Sequence, residues 1–445
     1  MPSTTGRFTV RAFAVMAFSS AAALAASPLT WQEACRQALG GNPGLVSARL
    51  AVTGAQEGLS VADAGFWPSL NAVAGLDHDQ TSALQALPSP GLAAGQSSSS
   101  ASYNGGLQTS WDLFNGFGTL YARSRSLQLV AQAQAQYDAA SAALLLELRQ
   151  AFAQLLYDQL NAALLESIAD RYHQDTLYQQ LEFQSGQTAR WTFLKSQSDE
   201  AQVNWDLEQN GLNTQSDRAV LAALLGQDPD TAADLAVQGE LTPDAAPDDD
   251  VADWAKAAVS LPALRLQRAV VAADEAGLGQ AEAPLYPTLS ATGSYTGSGG
   301  DSWGPQQTVL AGGLSLSFNL FNGGSNLAGV RQARAAAQAG RQDLATQLLQ
   351  ARSAVRKAWA AYKAAYDRLP SEHLATLAGQ ERYKTVGALY NAGRAAYLDY
   401  EQAETIYTQS QQQELSARLS AAQAQATYQS QLGLGLEDVQ SSHAP

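Results

Sequence analysis

The chain has 445 residues, 46% of them hydrophobic and 15% charged, with a net charge of −15 and a pI near 4.7. It is too apolar for a disordered chain and, at a mean hydropathy of −0.18, too polar for a bundle of membrane helices. The acidic balance argues against a nucleic-acid partner, which needs clustered Lys and Arg to displace counterions. One cysteine excludes a disulfide framework and a cysteine-built zinc site, and four histidines leave little for a His-rich one, so no cofactor is expected.

Residues 1–26 read as a signal peptide. Arg7 and Arg11 precede the apolar stretch from Ala12 to Phe18, and an Ala-rich run ends at Ala26. The apolar run falls short of the roughly 20 residues that a spanning helix needs; an uncleaved anchor is the alternative. Cys35 does not read as a lipidation site, because Gln32 stands where such a signal needs an apolar residue. Thr30-x-x-Glu33 reads instead as a capping box opening a short helix, with Cys35 buried as a small apolar side chain.

The chain then repeats itself. Phe114-Asn115-Gly116 recurs as Phe321-Asn322-Gly323, and Gln184-Ser185-Gly186 as Asn391-Ala392-Gly393, both 207 positions on. Upstream, Asn42-Pro43 matches Leu261-Pro262, and Phe66-Trp67-Pro68 matches Leu285-Tyr286-Pro287, both 219 positions on. The difference is an insertion of 12 residues between Trp67 and Phe114, with the loop-forming runs Pro88-Ser-Pro90 and Gln96 to Ser100. The first repeat is expected over 27–226 and the second over 261–433. An acidic linker, 227–260, joins them through Pro247-Asp-Asp-Asp250, and a tail follows at 434–445.

Each repeat opens with two period-2 runs, expected as strands at about 67–78 and 103–114, and at about 286–296 and 308–320. Leu70, Ala72, Ala74 and Leu76 alternate with Ser69, Asn71, Val73 and Gly75; Leu107, Thr109, Trp111 and Leu113 form the next apolar set. In the second repeat, Leu289, Ala291, Gly293 and Tyr295 alternate with Ser290, Thr292 and Ser294, and Leu310, Leu314, Leu316 and Leu320 alternate with small or polar residues. Trp67, Trp111, Tyr286 and Phe318 lie near strand ends, where an aromatic girdle would sit. Four strands of a soluble sandwich are the alternative, although long helices do not normally flank a sandwich.

Long helices are expected over 116–225 and 323–432, turning at Gly186 and Gly393. A seventy-residue helix is roughly 105 Å long. That is several bilayer thicknesses, yet the sequence is Ala, Gln and Leu with scattered charges, so such helices stand in water beside one another. The strands pose the opposite problem. An open sheet cannot remain in lipid with unpaired backbone groups, and four strands are too few to close when the smallest membrane barrels have about eight. Copies of the chain must pool strands. Two copies would give a filled barrel of about eight, and three a barrel of about twelve with an aqueous bore.

These features together resemble the TolC-type outer-membrane efflux proteins over essentially the whole mature length. The resemblance is carried by the tandem halves, Trp67-Pro68 and Tyr286-Pro287, the turns Phe114-Asn-Gly116 and Phe321-Asn-Gly-Gly324, and the tips Ser185-Gly186-Gln187 and Tyr390 to Asp399. It implies a mainly α fold with a β-barrel: a trimeric channel whose chains each give four transmembrane strands to a twelve-stranded barrel and long antiparallel helices to a periplasmic α-helical barrel. An equatorial layer would come from the N-terminal helix, the linker and the C-terminus. The implied partners are two further copies, a periplasmic adaptor (membrane-fusion) protein, an inner-membrane transporter and outer-membrane lipid.

The resemblance also implies a periplasmic gate at Tyr390, Asp399 and Arg394, and adaptor docking at Ser185, Gly186, Gln187, Ala392 and Gly393. Three Asp399 carboxylates around a threefold axis would repel one another, bind cations and disfavour anions, with tyrosine or arginine bonds holding the ring narrow. The match is incomplete. Gln402 stands where the family has a second aspartate, with Glu401 beside it; the arginine is one residue after the glycine instead of two; and Trp191-Thr192 replaces a common first-tip aspartate. A solvated helix-face carboxylate is the alternative for Asp399, and a simple helix stop for the two glycines.

No Gly-x-x-x-x-Gly-Lys-Ser/Thr run is present. Asp77-His78-Asp79 reads as a strand end entering the long loop rather than a metal cluster, and no histidine forms a nucleophile motif, so the chain is not expected to be an enzyme. A helical-stalk surface or adhesive protein and a secreted periplasmic enzyme remain as other classes; the need for detergent and a trimer mass would separate both from a channel. Drug efflux, type I protein secretion and metal export stay open within the channel reading.

Overall fold

The computed structural model describes residues 28–81, 98–231, 234–243, 246–247, 261–300, 305 and 307–434. The signal-peptide expectation, the insertion at 82–97, most of the acidic linker and the tail from 435 lie outside these residues. Helix α1 spans Trp31–Gly41 and α2 Pro43–Ala64; strands β1 (Ser69–Thr81) and β2 (Ser98–Asn115) follow, then α3 (Gly118–Gln184) and α4 (Arg190–Leu225). The second repeat gives α5 (Pro262–Glu282), β3 (Thr288–Gly299), β4 (Gln307–Ser317), α6 (Ser325–Asn391) and α7 (Tyr397–Leu432).

Local chemistry sets most of these boundaries. The Thr30–Glu33 capping box opens α1. Asn42 opens α2, its Oδ1 accepting from Gly44 N–H at 2.9 Å and Leu45 N–H at 3.2 Å, with Pro43 in the first turn, where a missing donor costs nothing. Pro68 and Pro287 cannot donate to a ladder, so β1 starts at Ser69 and β3 at Thr288. Thr288 pairs with Ser317; β4 therefore ends there instead of running to 320, since Pro287 offers Phe318 to Leu320 no ladder partner. Ser98 to Ser100, expected in a loop, are strand: their backbones pair with Thr81, Gln80 and Asp79, and the ladder overrides a weak β propensity.

The four strands form one antiparallel sheet in the order β1-β2-β3-β4. Its register keeps one face apolar: Ala72, Leu107, Tyr295 and Leu310 form one row, and Trp111, Ala291 and Leu314 another. The other face is small or polar, with Asn71, Gln108, Ser294 and Ala311 in one row and Ser69, Ser110, Thr292 and Gly313 in the next. A β-bulge between Asp112 and Phe114 corrects the expected alternation. Leu113 is the extra residue, and Phe114, not Leu113, stands opposite Leu289 on the apolar face. Leu76, Leu310, Leu314 and Leu316 are strongly exposed, and β1 and β4 each keep an outer edge that no described strand pairs. No described helix is long and apolar enough to cross a membrane.

Two turns join the sheet to the long helices. Asn115 reaches over the first, accepting from Thr119 N–H at 3.2 Å and donating to its Oγ1 at 2.6 Å. Gly323 and Gly324 take left-handed conformations in the second turn, but in the first the matching pair is Gly116 and Phe117, at φ 66° and 67°. A left-handed phenylalanine is strained by about 1–2 kcal/mol; edge-on contacts to Phe114 and Tyr286 hold it.

The long helices pack side by side. α3 lies against α2, α4, α5 and α7, while α6 lies against α5 and α7. Halfway along, α4 ends head-on to α2: Asn42 Nδ2 donates to the Leu224 carbonyl at 3.0 Å, and a Cβ on left-handed Gly226 would collide with the Gly41 carbonyl. The main core sits at this level. Trp31, Ala34, Cys35 and Ala38 of α1 and Val237 and Leu241 of the linker cover Leu148, Phe152 and Leu155 of α3 and Leu221 of α4. Leu29 and Val237 form a short parallel bridge, with Leu29 N–H donating to Ala236 O at 2.8 Å and Gln238 N–H to Leu29 O at 3.0 Å. The N-terminal helix and the linker thus meet on the middle of α3.

Candidate functional site

The ends of the helical pairs farthest from the sheet carry the expected site residues. Both turns close in the same way. Gly186 (φ 74°) and Gly393 (φ 70°) take the left-handed slot; Gln187 N–H donates to Glu182 O, and Arg394 N–H to Leu389 O, each at 2.8 Å. These are Schellman-type ends, in which only glycine avoids Cβ strain. Ser185, Gly186, Gln187, Ala392 and Gly393 are all exposed, and nothing lies within 4 Å of where a Cβ would stand on either glycine. The first tip is also apolar: Trp191 is 58% exposed, and Phe183 stacks on Phe193 at 5.8 Å.

Behind the tips, α3 and α4 of the first pair meet α7 and α6 of the second along a polar seam. Tyr397 Oη donates to Asp175 Oδ2 at 2.9 Å, and Gln179 Nε2 donates to Tyr390 Oη at 2.9 Å. Lys195 on α4 donates to Glu401 on α7 at 2.8 Å and to Asp199 at 2.7 Å. Arg171 Nη2 reaches Thr408 and Gln411, both at 3.4 Å, while its Nε stands 3.7 Å from Glu404 Oε1. Tyrosines line the same seam: Tyr390 stacks on Tyr400 at 5.2 Å, Tyr383 on Tyr407 at 5.7 Å, and Tyr178 and Tyr397 meet Tyr390 edge-on.

The environment favours neutral groups. Burial raises the Asp175 carboxyl above the usual range, although the bonds from Tyr397 and Gln179 pull it back. Burial also raises the Tyr397 and Tyr400 hydroxyls, helped by the carboxylates of Asp175 and Glu404 respectively. For Lys195, burial acts to lower the ammonium pKa, but the bonds to Asp199 and Glu401 outweigh it and the net shift is upward. Chemically, the seam is a set of donor–acceptor links between two rods, able to hold or release them.

The three expected gate residues are not brought together within one chain. Tyr390 lies in the seam and pairs with Gln179. Asp399 is exposed in the first turn of α7, where a helix N-terminus favours an acid, and among the described residues no side-chain hydrogen bond or ion pair holds it. Arg394 is likewise exposed and makes no such bond. The tyrosine or arginine bond expected to narrow the ring is therefore absent inside the described chain; Tyr390 spends its hydroxyl on the neighbouring hairpin. Glu401, noted beside Gln402, is tied to Lys195. The sequence reading missed Asp175, Tyr397, Lys195, Arg171 and Glu404. The spacing of seven between Tyr383, Tyr390 and Tyr397, and between Tyr400 and Tyr407, was the available signal. Asp77 to Asp79 lie within β1, where Asn104 Nδ2 approaches Asp77 at 3.5 Å, and no metal-holding group occurs among the described residues.

Residues 34–227 and 255–434 match the family model described as outer membrane efflux protein. No curated protein matches the chain. Among solved structures, the outer-membrane channel OprN is 22% identical with a TM-score of 0.79, the alignment covering 92% of this chain and 90% of that one. The CmeC outer membrane channel of Campylobacter jejuni is 16% identical at 0.79, covering 91% and 85%. The open-state MtrE outer membrane channel of Neisseria gonorrhoeae is 21% identical at 0.74, covering 91% and 89%. At these identities the likeness carries the fold.

Proposed function

The chain belongs to the outer membrane efflux protein family, and from that premise we propose that three copies form the exit duct of a tripartite export system. It is an outer-membrane channel protein, not an enzyme. One observation carries the reading that copies pool their strands: a four-stranded sheet with one exposed apolar face, one polar face and two outer edges unpaired among the described residues. The polar face, suited to a wet bore, favours three copies over two. Strands of 11 to 18 residues suffice for the roughly 9–11 that a tilted membrane strand needs. Joining β4 of one copy to β1 of the next removes every edge, turns the leucines to lipid and the Asn, Gln, Ser and Thr rows to a wet bore. Trp67, Trp111, Tyr286 and Phe318 gather at the helical end of the sheet, at the depth of one lipid interface.

In this reading the helices form a tunnel through the periplasm, and their tips meet the other components. Ser185, Gly186, Gln187, Ala392 and Gly393 present bare backbone turns, with Trp191 beside them, to a periplasmic adaptor; an inner-membrane transporter supplies the energy. Asp399 is unbonded and exposed, so three copies can direct carboxylates at the axis as a cation-attracting constriction. Tyr390 acts on the seam behind that ring, and exposed Arg394 is available to a neighbouring copy. Efflux fits the family name; type I secretion would use the same conduit.

The test is electrical. Asp399→Ala should raise single-channel conductance in planar bilayers and weaken block by divalent cations. Unchanged conductance together with unchanged block would remove Asp399 from the constriction.

A further inference from the structure

The seam contains a carboxyl group that it does not satisfy. Glu404 of α7 is 1% exposed, and its Oε1 has no hydrogen-bond partner. Arg171 forms an ion pair with it from α3, but at 3.7 Å the contact is too long for a hydrogen bond, and the Arg171 Nε makes none. The guanidinium is drawn elsewhere, to Thr408 and Gln411, and it lies over the Tyr407 ring at 5.4 Å. Among the described residues, the other groups named around Glu404 are acids and tyrosines. Asp175 and Tyr172 approach from α3, Asp199 from α4, Tyr383 from α6 and Tyr400 from α7 itself. Lys195 is occupied by Asp199 and by Glu401, the next acid along α7.

Ionised, Glu404 adds a negative charge to a dry contact that already holds Asp175, with no hydrogen-bonded cation to compensate. A long ion pair without a hydrogen bond does not offset the desolvation of a buried charge, which is then expelled toward water or neutralised. Protonated, it is neutral. We propose that this contact is a proton-controlled latch: with Glu404 protonated, α7 stays seated on α3, and loss of the proton loosens the seam and lets the second tip move away from the first.

Burial pushes this carboxyl up to about 7; the Asp175 carboxylate adds to the rise, and Arg171 opposes it in part. The seated seam therefore holds the proton more tightly than a water-exposed Glu404 would. By linkage, the seated state is favoured in mild acid and weakens as pH rises through neutrality. The latch lies within one chain, and only its consequence, a pH-responsive duct, rests on the exit-duct reading.

Spin labels at Gln187→Cys and Asn391→Cys, both exposed, in a Cys35→Ala background report the distance between the tips. Labelled chains are diluted with excess unlabelled protein so that distances within one chain dominate. The distance should lengthen as pH rises through neutrality. Glu404→Gln should hold it short at every pH, and Arg171→Gln, which removes the cation nearest the ionised carboxylate and two links across the seam, should let the tips part at a lower pH. A wild-type distance indifferent to pH, the same titration in Glu404→Gln, or a midpoint raised by Arg171→Gln would each overturn the latch. A tip titration with no bilayer current at any pH would support the latch and remove the exit-duct reading instead.

Discussion

The two helical hairpins have the same dimensions and different interiors. Both pair a 67-residue helix with a 36-residue one. The first, α3–α4, is covered within its own chain only around its middle, where α1 and the linker close over Leu148, Leu155 and Leu221, all fully buried, while Leu160, Leu177 and Leu212 stay exposed. The second, α6–α7, has a small core of Val355, Ala358, Tyr362 and Tyr428, and leaves Leu349, Leu374 and Leu377 exposed. Repetition thus preserves length, which aligns the tips, while the side chains decide which faces the chain completes alone. In the three-copy reading, the apolar positions of α6 are completed by a neighbouring copy.

That contrast is sharpened by truncating a leucine in each hairpin. Leu148→Ala should cost about 2–5 kcal/mol in denaturant unfolding, because a fully buried side chain leaves a cavity. Leu374→Ala, at a residue 65% exposed, should leave the unfolding of a single chain nearly unchanged and weaken association between copies. Equal losses of chain stability would erase the distinction between the hairpins.

The seam gives a smaller effect with a pH signature. Tyr397→Phe removes the donor to buried Asp175 and should cost about 1–3 kcal/mol. Asp175 has a raised pKa in the fold, so the folded state favours its protonated form and loses stability as pH climbs through that raised value. Without the tyrosine the rise is larger. The penalty measured by unfolding should therefore grow as pH rises through the raised Asp175 value; a penalty independent of pH would mean that the bond does not stabilise the ionised carboxylate.

The smallest effect falls at the tips. Gly393→Ala should cost only the left-handed strain, about 1–2 kcal/mol, since the space around it is open. The corresponding change at Gly226 should cost more, because the added Cβ meets the Gly41 carbonyl. A melting comparison that reversed this order would show that the tip is packed against something in the isolated protein.

How far the sequence discloses all this depends on whether a feature is periodic. The apolar alternation of the strands and the internal repeat are periodic, so the sheet, its two faces and the hairpin lengths are legible. The bulge at Leu113 is a single displacement in one strand, and nothing in Trp-Asp-Leu-Phe-Asn marks it. Phe117 fills a left-handed slot that Gly324 fills in the other repeat; the glycine shows in the sequence, whereas the strained phenylalanine does not. At the tips, Gly186 and Gly393 are legible as helix stops. The burial of Asp175 and Glu404 is not: a lone acid in an Ala- and Gln-rich helix looks solvated until its neighbours are known. Asp399 is the reverse, an acid singled out by resemblance that lies exposed and unbonded.

The central claim is that identical chains complete one another's sheet. Light scattering of the purified protein in detergent, with the detergent mass subtracted, measures the number of chains in the particle directly. Three chains, with precipitation when detergent is withdrawn, is the result expected. A monodisperse single chain that stays in solution without detergent would contradict it.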